Sequence, residues 1–74
     1  MSKVKDERLI RLGSRIREIR KAKGLSQEAF ADKCNLDRTY IGGVERGERN
    51  ISFLNLYTIS SNLNLSLSDL LINI

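Results

Sequence analysis

Histidine, proline and tryptophan are absent from the 74 residues, and cysteine occurs once. Without histidine, and with a lone cysteine, a conventional His/Cys zinc site has no ligand set. Neither a Ser-His-Asp triad nor a Cys-His pair can be assembled, which argues against an enzyme. One thiol forms no internal disulfide, a pattern that fits a cytoplasmic protein. With no proline and only two Tyr and two Phe, the chain has little to build sheets from and favours helices. No apolar run is long enough to span a bilayer, and the N-terminus lacks a signal-peptide core. Acidic side chains are in the minority, nine against thirteen Lys and Arg, giving a net charge of +4 and a pI of about 9.6. That mild excess fits a polyanionic partner, although solubility or an anionic surface would account for it nearly as well.

What is present is enough for one small domain: 41% of residues are hydrophobic, ordinary for a globular chain. Residues 1–5 are short and polar and are expected to be poorly ordered. From Asp6 to Lys23 the spacing predicts a helix with Leu9, Leu12, Ile16 and Ile19 as a narrow inward stripe. Ile10 falls off that stripe, where a partner or the C-terminal end would meet it. Arg15, Lys21 and Lys23 read mainly as solvated surface, and Gly24 is a stop.

The stretch Ser26 to Gly47, SQEAFADKCNLDRTYIGGVERG, organises the rest. Ser26 is an N-cap, and Phe30, Ala31 and Cys34 share one face, with Cys34 a small buried hydrophobe. Asn35 and Leu36 break the pattern, and Asp37 caps a second helix with Ile41 and Val44 inward and Gly47 as its stop. Two short helices joined by so tight a turn form a helix-turn-helix, whose second helix lies in the DNA major groove. Beyond it, Ser52 caps a helix to about Asn62 with Leu56, Ile59 and Leu63 inward and Leu54 or Tyr57 flanking. Asn64 ends it. Ser66 and Asp69 resemble a capping box opening a last helix over 67–72. The expected architecture is all-α, a compact five-helix bundle with the motif at 26–47 and a dimerisation region at about 53–74.

Within the second motif helix, Arg38 has the fork geometry to bind guanine O6 and N7, and Thr39 can offer a methyl or a hydroxyl to a base. Tyr40 reaches a phosphate or sugar edge, or else is a half-buried ring covering the motif. Gln27, Arg46, Arg49 and Asn50 are candidate phosphate contacts. Gly42 and Gly43 each cost a helix roughly 1 kcal/mol relative to alanine. They allow close backbone approach to DNA or a bend in it, or they are a tolerated weakness or a packing contact. Glu45 would be repelled by DNA and is expected to turn away and pair with Arg20. The apolar tail has Leu70 as a plug for the core. Leu67, Leu71, Ile72 and Ile74 are candidate dimer contacts, placing two reading helices roughly 34 Å apart.

The run GLSQEAFADKCNLDRTYIGGVERGERN resembles the lambda-repressor/Cro-like helix-turn-helix family across about residues 9–72, through Leu25-Ser26-Gln27-Glu28, Ala31 and Val44-Glu45-Arg46-Gly47. The family's Arg–Glu pair falls on Arg20 and Glu45. Leu36-Asp37-Arg38-Thr39-Tyr40-Ile41 followed by Arg49-Asn50-Ile51-Ser52 is similar to the controller proteins of bacterial restriction–modification systems. Those are small dimers that bind operators and regulate their own and the restriction gene. The resemblance implies base readout by Arg38 and Thr39, backbone contact by Tyr40 and dimerisation through the last two helices. The pattern departs at Gly42-Gly43, where such proteins often carry a serine or a longer side chain. A sequence-specific regulator on palindromic operator DNA, working as a homodimer in the bacterial cytoplasm or nucleoid, is therefore expected. No cofactor, metal, small-molecule ligand or membrane is implied. A phage-type repressor and an antitoxin regulator are the related alternatives. A helical protein-interaction module is the alternative of another class, and a gel shift separates it.

Overall fold

Every helix in the computed structural model, which describes residues 6–74, begins at a residue whose side chain satisfies a main-chain N–H of the first turn. Asp6 opens α1 (Glu7–Ala22), Ser26 opens α2 (Gln27–Cys34) and Asp37 opens α3 (Arg38–Glu45). Ser52 opens α4 (Phe53–Asn62) and Ser66 opens α5 (Leu67–Leu70). The five cap bonds are 2.8 to 3.2 Å long, and each such cap contributes about 1 kcal/mol. The exits are equally local in origin. Gly24 (φ 73°), Asn35 (φ 56°), Gly47 (φ 76°) and Asn64 (φ 59°) all turn the chain through the left-handed region, which glycine and asparagine tolerate best.

The core is one cluster: Leu12 and Ile16 of α1, Phe30, Ala31 and Cys34 of α2, Ile41 and Val44 of α3, Ile59, Leu63 and Leu70. Leu25, Leu36, Tyr40 and Leu56 pack around it half-buried. Burying a side chain the size of Phe30 or Ile16 contributes about 1.5–3 kcal/mol, so the cluster carries the fold. Burial also pushes the Cys34 thiol up to about 11, which keeps it protonated and inert at neutral pH.

Several expectations are corrected. The last helix stops at Leu70, because the chain leaves through turns and Asn73 adopts φ 63°, which swings Ile74 back against the core. Ile10, 38% exposed, stands beside Gly47. Its backbone and Cγ1 lie over Gly47, where a Cβ would stand only 2.8 Å away. Leu54 (75% exposed) and Tyr57 (56%) do not flank the core, and with Phe53 they form an outward apolar surface on α4. The expectation of disorder at residues 1–5 lies outside the described residues.

One α1 residue sets how closely the first and third helices approach. A Cβ on Gly13 would stand 2.3 Å from the Val44 carbonyl oxygen and 2.6 Å from that of Glu45. Those are backbone atoms of α3, which cannot rotate aside. Gly13→Ala is therefore expected to destabilise the domain by about 1–3 kcal/mol or more despite alanine's better helix propensity. Urea unfolding measures it, and an unchanged midpoint would show that α1 and α3 can separate freely.

Candidate nucleic-acid interface

The α3 helix is held from its C-terminal end. Glu45 is buried, and its carboxylate accepts four hydrogen bonds. Arg20 donates Nε to Oε2 at 2.6 Å and Nη2 to Oε1 at 3.0 Å. Gln27 donates Nε2 to Oε1 at 2.9 Å, and Arg17 donates Nε to Oε1 at 3.3 Å. Arg20 also gives Nη1 to the Leu25 carbonyl at 2.7 Å, fixing the entry to α2. Burial alone would raise the Glu45 carboxyl. The bonds from Arg20, Gln27 and Arg17, with the Arg20 charge, outweigh it and hold the group below the usual carboxylate range. The expected Arg20–Glu45 pair is thus present, with Arg17 and Gln27 as further donors that the sequence reading did not assign.

Gln27 departs from expectation in its direction. Its amide is turned inward to Glu45, so its offer to a phosphate is the main-chain N–H of the first turn of α2 and whatever amide hydrogen remains.

At the other end of α3, Arg38 and Thr39 are exposed, and Tyr40 is half-buried. Asp37 keeps its carboxylate on the Thr39 N–H at 3.0 Å. The Tyr40 hydroxyl accepts from Asn55 Nδ2 at 3.1 Å, and the Arg49 guanidinium lies over the ring 5.4 Å from its centroid. The ring is thus half-buried against the core, with its hydroxyl engaged by Asn55.

Gly42 and Gly43 make sense at this point. They lie one turn after Arg38 and Thr39, on the same face. A Cβ on Gly42 would stand 3.2 Å from Arg46 Nη1, and one on Gly43 would stand 3.2 Å from Arg49 Cγ and Nε. The missing side chains leave room for the two arginines that follow the helix to lie back along it. Arg46 also pairs with Glu48 at 3.1 Å. The exposed polar surface along α3 thus consists of Arg38 and Thr39 from within the helix and Arg46 and Arg49 from beyond it. Asn50 is exposed in the loop that follows.

This arrangement matches known proteins. A helix-turn-helix family model covers residues 16–70. The chain belongs to the lambda-repressor/Cro-like helix-turn-helix family. Within it the chain is similar to the control protein C.MunI of Mycoplasma sp, 48% identical over 62 residues, spanning 82% of this chain and 84% of that protein. Among solved structures, the restriction–modification controller protein C.AhdI from Aeromonas hydrophila superposes with a TM-score of 0.85 at 46% identity, over 88% of this chain and 98% of that one. The controller protein C.Esp1396I, solved as a tetramer on its natural 35 base-pair operator, gives a TM-score of 0.81 at 40% identity over 90% and 92% of the two chains.

Of the predicted dimer contacts, Leu71 and Ile72 are exposed, at 37% and 55%, and Leu67 is half-buried. Ile74 is the exception, since it packs on the domain's own core. No helix among the described residues is long and apolar enough to cross a membrane.

Glu45 should dominate the acid sensitivity of this helix-turn-helix domain. A carboxyl depressed in the folded state contributes stability that is complete above its unfolded value of about 4.3. That stability is lost as the pH falls through the lower folded value. Glu45→Gln should lose about 3–5 kcal/mol at pH 7, because it strands two buried guanidinium donors, and its remaining stability should fall less steeply below pH 5. Urea midpoints across pH 2.5–7 check this, with Asp6→Asn as the control for the exposed cap, which Arg8 holds at about 2. Equal acid slopes in Glu45→Gln and the parent would remove Glu45 from that role.

Proposed function

We propose that the protein is a sequence-specific, DNA-binding transcriptional regulator of the restriction–modification controller kind, acting as a homodimer on a palindromic operator in the bacterial cytoplasm or nucleoid. The observation that carries this reading is the solvent-facing first turn of α3, with Arg38 and Thr39 exposed on a helix whose far end is anchored by the buried Glu45 cluster. A short helix fixed in this way can enter a major groove without giving up its packing. Arg38 reads a guanine edge through its fork, and Thr39 contacts the neighbouring base. Arg46, Arg49 and Asn50 meet the backbone of the same half-site. Tyr40 gives its phenolic hydrogen to a phosphate while its oxygen accepts from Asn55, and Gln27 contributes its main-chain N–H. Neutralising several phosphates makes the affinity fall steeply with salt.

One such helix covers only a few base pairs, so a second copy is needed for specificity. Leu71 and Ile72, with Leu67 at their edge, supply an apolar contact, and Phe53, Leu54 and Tyr57 of α4 extend the exposed apolar surface of the 53–74 region. Phe53 and Tyr57 already pair, ring centroids 6.2 Å apart. Exposed apolar surface of this kind marks a contact, and an isologous pair is its commonest form. This reading assigns the protein no catalytic role.

Two substitutions test the reading. Arg38→Ala should cost roughly 1–3 kcal/mol of operator binding and relax discrimination at one base pair in each half-site. Selection of bound sites from random DNA measures that, and an unchanged preference would take Arg38 out of the reading role. Leu71→Glu should leave the fold intact, weaken self-association and lower operator affinity with it. Sedimentation showing an undiminished dimer would move the interface off the C-terminal segment.

A further inference from the structure

The α5 helix is a single turn of four residues, too short to hold itself in water. The turns that follow bond its last carbonyls only partly, the Ile72 N–H reaching the Asp69 carbonyl at 3.5 Å, and two of those carbonyls are occupied from across the domain. Arg15 of α1 donates Nε to the Leu70 carbonyl at 2.8 Å and Nη2 to the Asp69 carbonyl at 2.7 Å, 55 and 54 residues away in sequence. The fork of one guanidinium thus grips two successive peptide units, and its positive charge sits at the negative end of the helix. Immediately beyond the gripped units stand Leu71 and Ile72, both exposed. The Leu70 side chain is fully buried on the core, which fixes the depth of α5. Leu65 before it and Ile74 after it pack half-buried on the same core, and the two-point grip of Arg15 fixes the peptide units at the end of α5 from which the Leu71–Ile72 tip emerges.

We propose that Arg15 is the positioning residue for self-association: it aims the Leu71–Ile72 tip at a second copy of the chain without entering the interface or touching DNA. This rests on the homodimer reading above. An arginine in this role acts on the pairing of two copies and leaves the reading face of each copy as it was. A lysine cannot replace it, because one ammonium presents no planar fork to two carbonyls at once.

The test compares the parent with Arg15→Ala and Arg15→Lys by sedimentation, and by gel shift on a full palindrome and on an isolated half-site. Both variants should self-associate at least tenfold more weakly and lose a matching share of palindrome affinity. Half-site binding should be unchanged. The Leu71 and Ile74 amides should exchange faster with solvent, while those of α2 and α3 keep their protection. Joining two Arg15→Ala copies through a flexible linker should restore palindrome binding, since the tether supplies the proximity that the misaimed tips no longer provide. A parent that stays monomeric at high concentration would defeat the homodimer reading itself. A dimeric parent with equally dimeric variants, or half-site binding that falls as far as palindrome binding, would overturn the role of Arg15. If Arg15→Ala fails to melt cooperatively, Arg15→Lys carries the same comparison, and parent-like self-association in it is then the overturning result.

Discussion

A carboxylate taken out of water must be matched by donors or it will not stay ionised, and in this domain that requirement ties three helices together. Glu45 lies near the end of α3. Its partners come from α1, through Arg17 and Arg20, and from the start of α2, through Gln27. Such a cluster adds little net stability over an apolar substitute, because desolvation consumes much of the attraction. What it adds is geometry, since only one arrangement of the three helices brings every donor to the same two oxygens. Gly13, Arg17 and Arg20 lie along one stripe of α1, so the close backbone crossing and the ion cluster reinforce one another.

The consequence is a division of labour along α3. From Ile41 onward its residues are buried, and its polar atoms are engaged inward. The first turn carries what faces solvent. A helix of eight residues has little stability of its own. It can present Arg38 and Thr39 rigidly only because its other end is overdetermined. The two glycines fit the same scheme. They weaken the helix locally, and they let Arg46 and Arg49 lie along its outer face, adding cationic groups where the helix itself offers none.

Features decided by chemistry within a few residues were legible in the sequence. Ser26, Asp37, Ser52 and Ser66 cap where their hydroxyl and carboxylate groups predict, and Gly24, Gly47 and Asn64 stop where a left-handed residue is needed. Periodicity placed Phe30, Ile41, Val44, Ile59 and Leu63 inside. What could not be read depends on how helices cross. Arg15 looked like solvated surface because nothing local announces carbonyls some 55 residues away. Gln27 looked available to a phosphate because the pull of Glu45 on its amide is a tertiary fact. Two signals were nonetheless present. Gly13 sits in a helix interior at a cost of about 1 kcal/mol, as Gly42 and Gly43 do, and an unexplained glycine there points to a close crossing. Phe53, Leu54 and Tyr57 stand at i, i+1 and i+4, a face of α4 distinct from that of Leu56, Ile59 and Leu63.

The first helix is the common element of all these contacts. It runs 16 residues, about 24 Å at 1.5 Å per residue, and along it lie both the arginines that hold α3 and the arginine that holds α5. An assembly that reads two half-sites must keep its reading heads at a set separation, and flexible loops between head and interface would blur it. Here the path from Arg38 to Leu71 runs through packed helix rather than loop: α3 to Glu45, across to Arg17 and Arg20, down α1 to Arg15, and over to the carbonyls of Asp69 and Leu70. Each step is a hydrogen bond to a charged group or a stretch of helix, stiff enough to turn a small domain into a ruler. Under the homodimer reading proposed above, it is the guanidinium contacts of α1 that would hold the Leu71–Ile72 tip at a fixed separation from Arg38.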